Sequence, residues 1–509
     1  MKNLLLCLLI LFSLNACKAQ TDKQNQVDND SIRKPAFAGQ FYSDNPAILK
    51  KQIESFLKNA VPQKVDSAVA IIVPHAGYIY SGQIDVDAYN QVKQNKYDLI
   101  VILGTNHTTA GLTGISLYPK GGFSTPVGVA QIDDNAAEKL LKADKDVIAN
   151  TSVFDKEHSV EIQVPFIKYF FPDAKILPLI VAEPNIEMCK KFAKALVSST
   201  ENKKVLVVAS SDLSHYPKFD DAIKTDNNTL KTIAGLNTDK IVKVMEDQLD
   251  QNTPQLLTCA CGEAPILAAV SFANEVEADR VSIISYNNSG YNPIGTVDKV
   301  VGYGAVVISK GKSFSQQDVD STVINNSYVL TESDKVSLLK YARETLKQYF
   351  ETQTVPLPRN MNTMLKIKRG AFVTLNKNKQ LRGCIGHMSQ DTPLSTNVGA
   401  MTLQAAFNDT RFSPLTKEEL PQLEIEISVL TPFTKIKSAD EIKLGIDGVI
   451  VKKGNKQAVF LPQVATETGW DKETFLDQLC YKAGLNAGAW KDADLFTFRA
   501  DVFSESEFH

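Results

Sequence analysis

Between about Arg33 and Lys310 the chain repeats one pattern, in which short β-branched runs are separated by stretches of helical spacing. The runs read AVAIIVP (68–74), DLIVILGTN (98–106), AKILPLIVA (174–182), KVLVVASSD (204–212) and RVSIISYNN (280–288). Strands that alternate with helices pair in parallel through crossover connections. The expected fold is therefore an α/β domain with a mainly parallel central sheet. In an open sheet of this kind, the loops after the carboxyl ends of the parallel strands face one crevice, where ligands bind.

Three of the chain's six histidines stand in such loops: His75 in AVAIIVPHAGY, His107 in LIVILGTNHTT and His215 in VLVVASSDLSHY. Residues far apart in sequence can thus converge. A fourth element is TCACGEAPILAAVSFANE, in which Cys261 and Gly262 precede a long apolar helical run. A thiolate near a helix N-terminus is stabilised by unpaired amides, so Cys261 is a metal ligand, a nucleophile or an inert buried thiol. Imidazoles with a thiolate suit a borderline-soft divalent metal: iron first, with copper or zinc as alternatives. Asp212, three residues before His215, orients that ring, carries a proton or serves as a turn residue. In DKEHSVEIQVPFIKYFFP (155–172), Val160, Val164 and Ile167 predict a helix with His158 and Glu161 on one face, although Pro165 works against it. That pair is expected to stand behind the ligands as a proton relay, or else to form a solvated face. Cys259 is read as packing.

A chain of 509 residues, 43% hydrophobic and 22% charged, exceeds one ordinary core and predicts two or three domains. Its net charge of −3 gives no basic excess, so nucleic acid is not an expected partner. MKNLLLCLLILFSLNACKAQ has a basic Lys2, an apolar run from Leu4 to Leu14 and Ala16 before Cys17. It reads as an export signal, and Leu14-Asn15-Ala16-Cys17 resembles the bacterial lipobox, whose Cys becomes lipid-modified. We expect residues 1–17 to be a lipoprotein signal ending at Cys17, residues 18–30 a polar flexible tether, and the protein to be lipid-anchored to the bacterial cell envelope, in the periplasm or at the outer membrane. With Cys17 acylated, five cysteines remain after the signal, an odd number scattered too widely for a disulfide framework.

SKGKSFSQQDVDSTVINNS (309–327) has no apolar period and reads as a linker, placed at 311–330. A second domain follows over 331–505. TESDKVSLLKYARETLKQYF opens with a Thr331 cap and places Val336, Leu339, Ala342 and Leu346 at helical spacing. GAFVTLNKNKQLRGCIG and GVIVKKGNKQAVFLP read as strands joined by short polar turns, and DKETFLDQLCYKAGL as a capped helix, giving an α+β class. Within LRGCIG, Arg382 stands two residues before Cys384 and favours its thiolate, so Cys384 is a candidate nucleophile or redox thiol, or packs under a strand turn. His387 points to the opposite strand face and is not named as a base. Cys480, beside Phe475, Leu476 and Leu479, is read as core.

RKPAFAGQFY, VPHAGYIYSG, LGTNH, EHSVEIQVPF, SSDLSHY and CGEAPI follow in order the pattern that this region resembles, that of Memo-like proteins, over nearly all of residues 31–308. Memo-like proteins are similar in fold to the LigB-like class III extradiol dioxygenases. The resemblance implies that His75, His107 and Cys261 hold a metal, with Asp212 and His215 beside it. Cys261 stands where those dioxygenases carry a carboxylate. The second half resembles the AMMECR-type domain from about 330 to 505, most specifically in its LRGCIG run, through GAFVTLNKNKQLRGCIG, AAFNDTRFSPLTKEELPQLEIEISVL and DGVIVKKGNKQAVFLPQVA. Members of that family have no settled reaction. The two families are associated with a radical-SAM protein in the AmmeMemoRadiSam system, which implies such a partner; this chain has no three-Cys motif of its own for an iron–sulfur cluster.

Taken together, these features predict a membrane-tethered metalloprotein with redox or oxygenase-like chemistry on a small-molecule substrate. His215 and Asp212 would then move protons. The alternatives are a metal-dependent hydrolase, or a module that binds a peptide or anion without turnover.

Overall fold

The computed structural model describes residues 32–310, 328–359, 361 and 367–508. The leader with Cys17, the 18–30 tether and the 311–327 part of the linker lie outside the described residues. The chain divides into two compact units. The first runs through His215 and includes Lys224–Asn287 and the strand that begins at Gly302; the second holds Tyr216–Ile223, Asn288–Val301 and the C-terminal part.

The first unit contains β1 (Ile32–Arg33), β2 (Ala68–Val73), β3 (Leu99–Thr105), β4 (Ile115–Leu117), β5 (Gly122–Thr125), β6 (Gly128–Gln131), β7 (Val147–Ala149), β8 (Lys175–Val181), β9 (Val205–Ser210), β10 (Arg280–Asn288) and β11 (Gly302–Ser309). Eight of them form one sheet in the order β10-β11-β2-β9-β3-β8-β4-β7, and β1, β5 and β6 form a small separate sheet. The centre is parallel, as the alternation of strands and helices predicts: β2 with β9, β9 with β3, and β3 with β8. Strand β11 runs antiparallel to β2, and β4 runs antiparallel to β8. In register, Val73 lies opposite Ser210 and Leu103 opposite Ala209, so β2, β9 and β3 end at one level.

Strand alternation explains the two-sided burial. Ala70, Ile72, Val101, Leu103, Val207 and Ala209 share one apolar cluster with the helices Ile186–Ser199 and Glu263–Glu275. Ile71, Val73, Ile100 and Ile102 point the other way and are buried as well. On that other side, the helix Tyr78–Val92 packs against β2 and β11.

The expected helix around His158 is replaced by two shorter pieces, a 3₁₀ turn over Glu161–Gln163 and an α-helix over Val164–Phe170. Pro165 lies in the first turn of that helix, where its missing N–H costs nothing, so it starts the helix instead of breaking it. His158 precedes both pieces, and the predicted shared face with Glu161 is absent.

The second unit is α+β. Its strands are β12 (Ala371–Lys377), β13 (Gln380–His387), β14 (Leu423–Leu430), β15 (Thr434–Ile436), β16 (Gly448–Lys453), β17 (Lys456–Phe460), β18 (Asp494–Phe498) and β19 (Ala500–Ser504), which form two sheets, β13-β12-β14-β19 and β15-β18-β16-β17. Each sheet has its own apolar cluster, the first with the helix Glu332–Thr352 and the second with Lys472–Lys482. Thr331 caps the first of these helices in a reciprocal box with Asp334. The β12–β13 turn holds Asn378 and Lys379 at φ 52° and 63°, the left-handed pair that a two-residue hairpin requires. Among the described residues, the five cysteines are free thiols and no helix is long and apolar enough to cross a membrane.

Candidate metal centre

Strand β2 ends at Val73, and two residues later His75 is buried, 1% exposed. Its backbone N–H donates to Asp212 Oδ1 at 2.8 Å, which ties the β2 loop to the loop after β9. Its ring Nδ1 lies 3.1 Å from Ser210 Oγ. That hydroxyl spends its single proton on Ser159 O at 2.6 Å, so it can only accept from the ring. His75 therefore carries its proton on Nδ1 and presents the lone pair of Nε2, which lies 3.1 Å from Cys261 Sγ.

The same argument settles His107. Its Nδ1 faces Glu157 Oε1 at 2.9 Å, and its backbone N–H donates to Oε2 at 2.8 Å. A carboxylate accepts, so Nδ1 holds the proton and Nε2 is the ligand nitrogen. His215 Nδ1 lies 3.1 Å from the Leu213 carbonyl oxygen, which fixes the same tautomer there.

Cys261 is held by backbone geometry. Its N–H donates to Asp212 O at 3.3 Å, and a Cβ on the next residue, Gly262, would stand 2.5 Å from Ser211 Cβ and 2.7 Å from Ser210 O. Only glycine lets the chain pass this close to β9. Gly104, at the end of β3, is similarly pinned, since a Cβ there would lie 2.5 Å from Ser159 Oγ.

One expectation is corrected by burial. The helix after Cys261 starts at Glu263 with Gly262 as its cap, so the thiol lies outside the first turn. Burial, followed by the nearby Asp212, pushes the thiol well above its ordinary value. A cation between Sγ and the imidazole nitrogens would reverse that balance, because a coordinating thiol loses its proton.

Candidate ligand atoms of His75, His107 and Cys261 lie within 4.8 Å of one another, as do those of Asp212, His215 and Cys261, and those of His107, Glu157 and His158. Two imidazole nitrogens with bare lone pairs and one thiol make a donor set that fits a borderline-soft transition metal. Burial and the neighbouring rings of His158, His107 and His215 hold His75 well below the usual histidine range, so its nitrogen stays available. Asp212 is raised by burial against the opposing pull of His215.

His158 belongs to this cluster. Its ring stacks on His107 at 4.7 Å and meets His75 edge-on at 5.1 Å, while Phe41 and Phe37 pack against it at 4.9 and 5.7 Å. Glu161 reaches it through its charge, which opposes the effect of burial on His158, while its hydrogen bonds go elsewhere. Its carboxylate is bound at 2.5 Å by Arg33, by the backbone N–H groups of Ala36 and Phe37, and by Tyr42 Oη, which pins the N-terminal segment. Sequence reasoning missed Glu157, Ser210 and Gln163, whose Nε2 donates to Pro74 O at 2.6 Å. Only the position of Glu157 directly before His158 offered a signal.

Cys384 and Arg382 belong to β13 of the second unit. The Arg382 guanidinium is held by Glu419 through Nε and Nη2, both at 2.9 Å, so its charge is matched there and not by the thiol. Cys384 Sγ accepts from the Thr374 hydroxyl at 3.3 Å, and its N–H donates to Asp409.

Comparison with known proteins adds to this geometry. The family description "Memo-like protein" matches residues 33–307, and "AMMECR1" matches residues 339–503. A MEMO1 family protein of Methanobrevibacter smithii is 33% identical over 287 residues, covering 54% of this chain and 98% of its own. One from Pyrobaculum arsenaticum is 32% identical over 289 residues, covering 55% and 99%. Among solved structures, an uncharacterized protein of Pyrococcus horikoshii aligns at TM-score 0.31 and 36% identity, over 35% of this chain and 93% of its own.

Proposed function

The chain belongs to the Memo-like family and carries an AMMECR1 domain behind it, and from that premise we propose that it is a metalloprotein with redox or oxygenase-like activity on a small substrate. The observation that carries the reading is the convergence of His75 Nε2, His107 and Cys261 Sγ at the mouth of the parallel sheet, with both ring protons turned away from the shared centre. A metal held by these three residues, with iron ranked before copper or zinc, would supply Lewis acidity, and iron or copper would supply electron transfer as well. The protein's own residues do the rest. His215, with its proton on Nδ1, offers Nε2 to take a proton from a bound substrate, and Asp212 holds the His75 loop in place.

The domain pairing supports a separate radical-SAM protein as partner, and the lipobox-like stretch before Cys17 supports export and a lipid anchor in the cell envelope. Cys384 is proposed as a second reactive group, resting on its half-buried place beside Thr374 and Asp409.

Elemental analysis and electron paramagnetic resonance of the purified protein test the reading. About one iron or copper per chain, lost in His75→Ala, His107→Ala and Cys261→Ala but kept in His215→Ala, is the expected pattern. Zinc alone would turn the reading to hydrolysis. A metal-free protein that still binds an acidic peptide would leave a recognition module. For the anchor, Cys17→Ser should abolish lipid attachment by mass spectrometry, and a variant that keeps the lipid would refute it.

A further inference from the structure

Glu157 is 2% exposed, yet it bears a carboxylate inside the cluster. Its contacts show what it does there. Oε1 accepts from His107 Nδ1 and from the backbone N–H of Ser159, each at 2.9 Å, and Oε2 accepts from the backbone N–H of His107 at 2.8 Å. His158 Nδ1 approaches Oε1 at 3.5 Å. The carboxylate thus grips one residue at two points, ring and backbone, and uses both oxygens to do so.

Although Glu157 shares a cluster of donor atoms with His107 and His158, its oxygens are committed to N–H donors. The two imidazoles are also held differently. His75 is backed by a neutral hydroxyl and enclosed by the fold, whereas the His107 side chain is 30% exposed and backed by a charge. The more exposed ring has less packing to orient it, so its orientation depends on the hydrogen bond.

We propose that Glu157 is the positioning residue of the metal centre: it is not a ligand, but by holding the ring and backbone of His107 it turns Nε2 toward His75 and Cys261 and raises that nitrogen's donor strength. The inference rests on the metal-centre reading above. A carboxylate behind a metal-bound histidine typically changes affinity by about 10–100-fold when replaced.

The test uses the full chain in mild detergent and Co²⁺ alone as the probe. Glu157→Gln keeps the size of the side chain but can no longer accept at both ends. It should still bind one Co²⁺ and keep the thiolate-to-cobalt charge-transfer band, with affinity reduced about 10–100-fold and the d–d bands shifted. Ser210→Ala should show a smaller loss of affinity. Parent-like affinity and spectrum in Glu157→Gln would overturn the proposal, and so would complete loss of one-to-one binding, which would make Glu157 a ligand. Nitrogen-15 NMR of the parent's histidines needs no variant: His107 should be protonated on Nδ1, and protonation on Nε2 in the metal-free protein would also overturn it. If His75→Ala, His107→Ala and Cys261→Ala all bind Co²⁺ like the parent, the metal-centre reading itself fails, a result distinct from failure at Glu157 alone.

Discussion

Burial holds His158 neutral down to about pH 4, against an ordinary value of 6.5, with the Glu157 carboxylate opposing the shift. The unfolded chain takes up this proton first as pH falls. The stability contributed is therefore complete above about pH 6.5 and declines toward pH 4, with a limit of about 3 kcal/mol. In metal-free protein, urea midpoints measured from pH 8 to pH 5 should fall more steeply for the parent than for His158→Asn; parallel profiles would show that the ring is not kept neutral. The cysteines differ at this scale too. Cys480 is fully enclosed and burial raises its thiol, while Cys384 is half-buried on a strand. Iodoacetamide at neutral pH should modify Cys384 well before Cys480, read by peptide mass spectrometry, and equal resistance would mean that Cys384 is structural. The buried state of Cys480 was legible in its helical neighbours, whereas the engagement of Arg382 by Glu419 was not, because those partners are 37 residues apart.

Among the elements, the segment joining Ala260 to the helix Glu263–Glu275 decides whether a thiol reaches the crevice at all. Gly262→Ala would bring a Cβ against Ser211 Cβ and the Ser210 carbonyl, the second of which is backbone and cannot step aside. The loop must move off β9, at a cost of about 1–3 kcal/mol. Since Cys261 is the adjacent residue, bound metal should fall with stability, and a variant with unchanged metal content would show that the close approach does not position the thiol. The helix Glu332–Thr352 offers a contrasting case in the second unit. Its Thr331–Asp334 box was readable as a cap, and Thr331→Ala should cost about 1 kcal/mol by thermal unfolding without altering metal binding. A change in metal content there would contradict the assignment of the centre to the first unit.

Over the whole molecule, the candidate ligands and the groups that hold them all belong to the first unit, and the second unit has its own two apolar clusters. A bound ligand stabilises only the unit that binds it. Calorimetry should therefore show two transitions, of which chelation lowers one. A single transition that moves as a whole would refute independent unfolding of the two units.

The apolar runs, helix caps and hairpin turns could be read directly because they are set by neighbours a few residues away. So could the placing of His75, His107 and His215 at strand ends, since the alternation of strands and helices predicts a crevice at those ends. The tertiary structure alone inserted β9 between β2 and β3, which brings the loop of Asp212 and His215 out between the strand ends that carry His75 and His107. It also withdrew Glu161 to Arg33, brought Glu157 to His107 across 50 residues, and raised the Cys261 thiol. These outcomes share a physical cause: strand order and hydrogen-bond partners join distant parts of the chain, and a thiol's proton affinity depends on how much water the finished fold leaves around it. None of those quantities exists before the chain closes on itself.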